Sequence, residues 1–357
     1  MELAKKLRTP EELKAKPTDD SALGFGRLLS DHMYKLDYKK GSGWHNARIE
    51  PYGPLALDPA ALVLHYGQEV FEGLKAYIGA DGGVYMFRPA DNMARMNRSC
   101  RRLVIPEFPE DEVREHMFEL IRTERAWIPK TPGTSLYVRP TIIALDPFLG
   151  VAVGEEYLYY IIVGPVGAYY STGFAPTKIY VEEHYVRSVA GGMGDAKSAG
   201  NYAASLLAAE KAKKKGYAQV LWLDACDKKG VEEVGTSNMF FKIGGTVITP
   251  PLSGSILPGI TRDSVLKLCQ HFGIPTEERK VTIDEAIEAI ENGAMEEAWA
   301  TGTAAVVSPV GVVHYKGKDY TVNDNQVGPT AQKLYDEIIG IQMGTKPDPF
   351  GWVVKIG

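Results

Sequence analysis

The chain has 357 residues, 45% of them hydrophobic and 24% charged, with a formal net charge of −5. That length buries a sizeable core and points to two domains, while the acidic balance offers no basic field for nucleic acid or an anionic membrane surface. Cys100, Cys226 and Cys269 are too scattered for a disulfide framework or a cysteine metal site, which suits a reducing cytoplasm.

The N-terminus runs into charged residues rather than an apolar stretch, so it does not read as a signal peptide, and residues 1 to about 20 read as a loosely held arm. Short strands and turns are expected from Phe25 to Phe87. Within them, Leu64 to Lys75 reads as a loop and half-buried strand, with His65 a structural residue. Arg88-Pro89-Ala90-Asp91-Asn92 opens a helix, with Asp91 as its N-cap. Met93, Met96 and Cys100 recur at helical spacing, and Arg95, Arg98, Arg101 and Arg102 fill the remainder. A second helix is expected from Glu110 to Trp127, its apolar face formed by Val113, Met117, Leu120 and Ile121.

Ser135 to Pro140 reads as a strand. Alternation puts Leu136 and Val138 on one face and Tyr137 with Arg139 on the other. An aromatic and a cation side by side suit a carboxylate, or equally a plain sheet surface. Glu156 to Val163 is a further strand, too short to span a bilayer, and Gly164 to Gly173 reads as an interdomain connection.

The second half opens with a strand from Lys178 to Glu182. Next comes Gly191-Gly192-Met193-Gly194-Asp195-Ala196-Lys197-Ser198-Ala199-Gly200-Asn201-Tyr202, glycines around one lysine. Three readings stay open for it from the residues alone. One is a phosphate loop, for which Gly191 and Lys197-Ser198 fit G-x-x-x-x-G-K-[ST] but Ala196 stands where glycine is needed. Another is a solvated turn. The third is a lysine bonded to pyridoxal phosphate.

A helix follows from Tyr202 to Lys215, its terminal lysines suiting the negative end of the dipole. Gln219 to Asp224 is a buried strand. Val231 to Phe241 reads as one strand carrying Glu232 and Glu233 at its entry. A helix starting near Ile260-Thr261 after Gly259 presents N–H groups for a phosphate. Ala298 to Ala305 reads as a strand ending in a tight turn of small residues, and no His/Asp/Glu spacing suggests a metal site.

Taken in order, Phe25-Gly26 with Asp31-His32-Met33, Val70-Phe71-Glu72-Gly73, Phe87-Arg88-Pro89, Asn92-Met93, Arg95-Met96, Gly133 to Pro140, Gly164 to Tyr169, Gly200-Asn201-Tyr202, Glu233 to Thr236, Leu257-Pro258-Gly259 and Gly302-Thr303-Ala304 resemble the branched-chain amino-acid aminotransferases, pyridoxal-phosphate enzymes of fold type IV. The resemblance covers nearly the whole chain after residue 20. It implies an α/β (α+β) chain: a small α/β domain over 1–163, a connecting loop over 164–176, and a larger pseudobarrel domain over 177–357 that binds pyridoxal 5'-phosphate. It also implies a homodimer that moves the amino group of leucine, isoleucine or valine to 2-oxoglutarate, reversibly. A D-amino-acid aminotransferase or an aminodeoxychorismate lyase is the nearest alternative, and a phosphate-loop protein a more distant one.

The resemblance implies roles residue by residue. Lys197 would bond the cofactor. Arg95, Ile260, Thr261 and Thr303 would hold its phosphate, Tyr202 its phenolic oxygen and Glu233 its pyridine nitrogen. Tyr137 and Ala304 would take the substrate α-carboxylate and Arg139 the distal carboxylate of glutamate. Tyr66, Leu149 and Val151 would line the side-chain pocket, partly across the dimer interface, and Tyr169 and Thr236 would complete the substrate contacts. Two positions depart from the family pattern. Ala305 and Ser308 replace a C-x-x-C pair found in some mammalian members, so no redox switch is expected there, and Leu29 stands where many relatives have an aromatic residue.

Overall fold

The structure is a computed structural model and describes residues 1–167 and 174–357. The chain forms two units. The first holds the described residues up to Gly167 together with Ala196–Ala199 and Gly340–Gly357. The second holds Phe174 to Asp195 and Gly200–Ile339. The short inclusion around Lys197 and the C-terminal segment differ from the expected division.

The first unit is built on a mixed sheet. Its strands are β1 (Ala4–Lys5), β2 (His32–Lys39), β3 (Gly43–Pro51), β4 (Glu69–Phe71), β5 (Leu74–Ile78), β6 (Val84–Phe87), β7 (Ser135–Ala144), β8 (Glu156–Val166) and β18 (Val353–Lys355). They run in the order β1-β3-β2-β8-β7-β5-β6-β18, with β4 also on β7. The antiparallel pairing of β18 with β6 explains why the C-terminal segment belongs here.

Side chains alternate across this sheet. Leu74, Ala76, Leu136, Val138, Ile142, Tyr159 and Ile161 share a core with Met93, Met96 and Cys100 of α2 (Pro89–Arg102) and with Val113, Met117, Leu120 and Ile121 of α3 (Glu110–Thr123). Burying each large apolar side chain stabilises the fold by roughly 1.5–3 kcal/mol. A short helix, α1 (Leu62–Tyr66), precedes β4.

Three local expectations need correction. Helix α2 is capped not by Asp91 but by Arg88, at φ 50°, with Pro89 in its first turn, where its missing N–H and fixed φ are no handicap. Asp91 instead forms an ion pair with Arg88 Nε at 2.8 Å. The second helix ends at Thr123, and Arg125–Trp127 form a separate 3-10 turn.

Nor is the N-terminal arm loose. Strand β1 pairs in parallel with β3. The Arg8 N–H donates to His32 Nε2 at 2.9 Å, and Lys16 Nζ reaches Asp31 Oδ2 at 2.6 Å, where Trp127 Nε1 also donates at 2.7 Å. A buried aspartate supplies the partner that the charged composition of the arm did not reveal.

The second unit contains β9 (Thr177–Glu182), β10 (Gln219–Leu223), β11 (Val231–Val234), β12 (Ser237–Ile243), β13 (Thr246–Thr249), β14 (Thr276–Glu278), β15 (Met295–Gly302), β16 (Val306–Tyr315) and β17 (Lys318–Thr321). Pairings β11-β10-β9-β16-β15-β12, with β12 returning to β11, close a ring of six strands. That closure is the barrel-like sheet expected for the larger domain.

The segment 231–241 is a hairpin rather than one strand. Gly235 turns it at φ 56°, a left-handed conformation that strains other residues and favours glycine. Of the helices in this unit, α4 (Ala199–Lys214) lays Ala208 and Ala212 on Val220 and Trp222 of β10. Helix α5 (Ile260–His271) starts behind Gly259, α6 (Ile283–Glu291) joins the core of the ring, and α7 (Pro329–Gln342) leads back toward the C-terminal segment.

Candidate active site

In the first unit, the face of β7 away from the helices carries Tyr137 and Arg139, as alternation predicts. Arg139 Nη2 donates to Tyr137 Oη at 3.0 Å, and the guanidinium lies 4.8 Å from the Phe71 ring centroid. Arg139 Nε is buried and has no hydrogen-bond partner among the described residues, which leaves a donor open on this face. Beside the pair is a cavity of about 110 Å³ lined by Phe25, Leu29, Tyr137, Arg139, Ile162 and Val166. Leu29 therefore does border the space where a larger aromatic residue would narrow it.

Lys75 belongs to the same face, because it pairs directly with Tyr137 across β5 and β7. Sequence reasoning missed it. Lys75 is buried, and burial pushes its ammonium down to about 8. Its signal was its place at the end of the Leu64 to Lys75 stretch, two residues after the Val70-Phe71-Glu72-Gly73 motif.

Lys197 is held at its backbone by two separate elements. Its N–H donates to Ser99 Oγ of α2 at 2.9 Å, and its carbonyl accepts from Phe71 N–H at 3.0 Å. Nζ lies 5.0 Å from the centroid of the Phe71 ring. The neighbouring Ser198 is buried, and its Oγ has no partner among the described residues.

Arg95 is buried on α2, not on the solvated side of the helix. Its Nε and Nη2 donate to the two oxygens of Glu72 at 2.7 and 2.9 Å, and Asn92 Nδ2 adds a bond to Oε2 at 2.8 Å. Burial opposes the Glu72 charge, yet Arg95 foremost, with Lys197 and Asn92, holds its carboxyl below the usual range. Glu72 is the second residue that sequence reasoning left without a role. Tyr66, Leu149 and Val151 do not line this cavity; they are 42%, 67% and 87% exposed.

The second unit gathers a different set. Glu233, 2% exposed, meets Arg187 Nη1 at 2.7 Å through Oε2 and Asn238 Nδ2 at 3.2 Å through Oε1. Arg187 Nη1 also donates to the Ser255 carbonyl at 3.2 Å. Glu232, the next residue on β11, instead accepts from Ser255 Oγ, and burial raises its carboxyl above the ordinary value. Glu233, Asn238 and Thr301 are register partners across β11, β12 and β15, so they share one face. Thr301 Oγ1 is buried with no partner among the described residues.

The start of α5 abuts this row. Asn238 Nδ2 donates to the Leu257 carbonyl at 2.9 Å, and a Cβ on Gly259 would fall 2.0 Å from Asn238 Oδ1. No side chain caps the helix, whose first residues, Ile260 and Thr261, are buried. A buried carboxylate and an uncapped helix N-terminus thus stand on one side of the ring. Together they suit a ligand with a basic nitrogen and an anionic group.

Tyr202 is half-buried in the first turns of α4, Thr303 and Ala304 form the turn after β15, and Thr236 is exposed at the hairpin tip. Tyr169 lies outside the described residues. Among the described residues no His, Cys, Asp or Glu cluster is arranged to hold a metal ion, and no helix is long and apolar enough to cross a membrane.

Residues 69–313 match the family model described as amino-transferase class IV. The chain is 52% identical over 343 residues to the branched-chain-amino-acid aminotransferase 2 of Bacillus subtilis (strain 168), covering 96% of this chain and 94% of that protein. It is 48% identical over 338 residues to the branched-chain-amino-acid aminotransferase of Mycolicibacterium smegmatis, covering 93% and 92%. Among solved structures it is similar to the branched-chain aminotransferase of Thermoproteus uzoniensis with norvaline, at TM-score 0.75 and 26% identity over 91% of this chain and 100% of that one. The branched-chain amino acid aminotransferase of Escherichia coli matches at TM-score 0.74 and 26% identity over 92% and 99%.

Proposed function

The chain belongs to the class IV aminotransferases, and from that premise we propose that it moves the amino group of leucine, isoleucine or valine to 2-oxoglutarate, and back, with pyridoxal 5'-phosphate. The carrying observation is the near-full-length likeness to relatives named for that activity.

The residues fit the cofactor. Lys197 would bond it. The uncapped N-terminus of α5 at Ile260 and Thr261, with Thr303, would seat its phosphate, where N–H groups and the helix dipole favour an anion. Arg95, oriented through Nε and Nη2 by Glu72, would add a permanent cation. Glu233 would face the ring nitrogen and Tyr202 the phenolic oxygen. When bound, the cofactor supplies an electron sink for the bond broken at the substrate Cα.

The chain's own groups then divide the work. Lys197 Nζ would take the proton from the Cα of the amino donor in one half-reaction and deliver a proton to the Cα of the oxo-acid acceptor in the other. Its backbone anchors at Ser99 and Phe71 fix where that nitrogen starts. Tyr137, with the turn at Thr303 and Ala304, would orient the α-carboxylate. Arg139 would offer its open Nε to the distal carboxylate of glutamate, while its bond to Tyr137 keeps it anchored when an apolar side chain is bound.

We place the enzyme in the cytoplasm, in keeping with three free cysteines, and as a homodimer. The loop Phe148 to Val153 touches the segment before α1 through the Phe148 N–H and the Ala60 carbonyl, 3.1 Å apart. Around that contact Tyr66, Phe148, Leu149, Val151 and Val153 are exposed, an apolar surface suited to a second copy. Tyr66, Leu149 and Val151 would reach the pocket in that assembly.

A panel of amino donors with 2-oxoglutarate tests the reading. Turnover of leucine, isoleucine and valine is expected. Turnover confined to D-amino acids, or none with any donor, would overturn it.

A further inference from the structure

Arg187 is the cation paired with Glu233. We infer that Arg187 is a positioning residue that keeps Glu233 ionised, so that the proton shared with the cofactor stays on the ring nitrogen. The inference rests on the pyridoxal-phosphate reading of this site.

Glu233 is almost wholly enclosed on the strand β11. A carboxyl in such surroundings, left alone, tends to take up a proton. Protonated Glu233 would donate to the ring nitrogen and leave the ring neutral, which weakens it as an electron sink. A guanidinium does not deprotonate, and here it sits 2.7 Å from Oε2. The Ser255 carbonyl holds the same Nη1 at 3.2 Å, so the cation is tethered to the segment leading to α5.

On the other oxygen, Asn238 donates a neutral amide bond and is itself tied to Leu257. The carboxylate is thus fixed in place from two sides, and Arg187 brings a positive charge to it. The neighbouring Glu232 lies within reach of Asp224, Arg187 and Lys280. Adjacent strand residues face opposite sides, which separates the two glutamates.

The test begins with the cofactor-free protein, comparing wild type, Arg187→Gln, Glu233→Gln and the double variant from about pH 5 to about pH 8. Without Arg187 the folded Glu233 pKa rises above its unfolded value, so the loss in melting temperature should grow with pH. Glu233→Gln added to Arg187→Gln should remove that pH dependence.

In the loaded enzyme, Arg187→Gln should make the visible cofactor band titrate and lower kcat by about a hundredfold with little change in KM. Arg187→Lys should restore most of both, and it carries the test if Arg187→Gln does not fold. A pH-independent loss of stability that persists unchanged in the Glu233→Gln background would overturn the inference, as would an Arg187→Gln enzyme with the wild-type band and kcat. If wild type itself bound no pyridoxal phosphate, the functional reading would fail, while the cofactor-free cycle would still report on the pair.

Discussion

Arg95 grips Glu72 with one edge of its guanidinium, Nε to Oε1 at 2.7 Å and Nη2 to Oε2 at 2.9 Å, and both side chains are buried. The pair joins α2 to the end of β4, beside Lys197. Breaking a buried pair leaves an uncompensated charge, at a cost of about 3–5 kcal/mol.

Glu72→Gln should therefore lower thermal stability sharply and weaken pyridoxal-phosphate binding, since Arg95 loses its orienting partner. The sign with pH follows from the depressed carboxyl. Its stabilisation is full above the unfolded value of about 4.3 and is lost as pH falls through the lower folded value. Acid melting curves should show wild type losing more stability than Glu72→Gln below about pH 4. Parallel curves would mean that Glu72 is not the titrating group.

Lys75 gives the opposite signature. Its folded value of about 8 lies below the unfolded ammonium, so the unfolded chain holds the proton longer. Stability should rise between about pH 8 and about pH 10, and this rise should be absent in Lys75→Met. Denaturant midpoints at a series of pH values measure it. An identical slope in both proteins would show that Lys75 titrates normally.

Lys197→Ala should abolish turnover while the fold survives, because the lysine's backbone bonds to Ser99 and Phe71 do not involve its side chain. Borohydride reduction of the loaded wild type, followed by peptide mapping, should find the cofactor on Lys197. A label on Lys75 or any other lysine would refute the assignment.

Arg139→Ala should lower kcat/KM for glutamate and 2-oxoglutarate by about ten- to a hundredfold, the worth of one charged hydrogen bond, with a smaller loss for leucine. Single-turnover measurements of each half-reaction separate the two. Equal losses would make Arg139 a structural partner of Tyr137 and Phe71 only.

Period-two patterning was enough to put Tyr137 and Arg139 on one strand face, and helical spacing enough to bury Met93, Met96 and Cys100, because both follow from local geometry. The glycines around Lys197 marked a special backbone. Their ordered company of motifs pointed to the family, which the full-length relatives bear out.

What the sequence did not contain was partnership at a distance. Glu72 and Arg95 are far apart in the chain, as are Arg187 and Glu233, and nothing in either neighbourhood announces the other. The arm looked loose because its charges are local, whereas its anchors, His32 and Asp31, come from β2 and the turn before it. The strand at 231–241 looked continuous because alternation runs on through a turn that the left-handed backbone of Gly235 makes. In each case a buried charge, or a backbone forced into close approach, gains its meaning from what the folded chain brings against it.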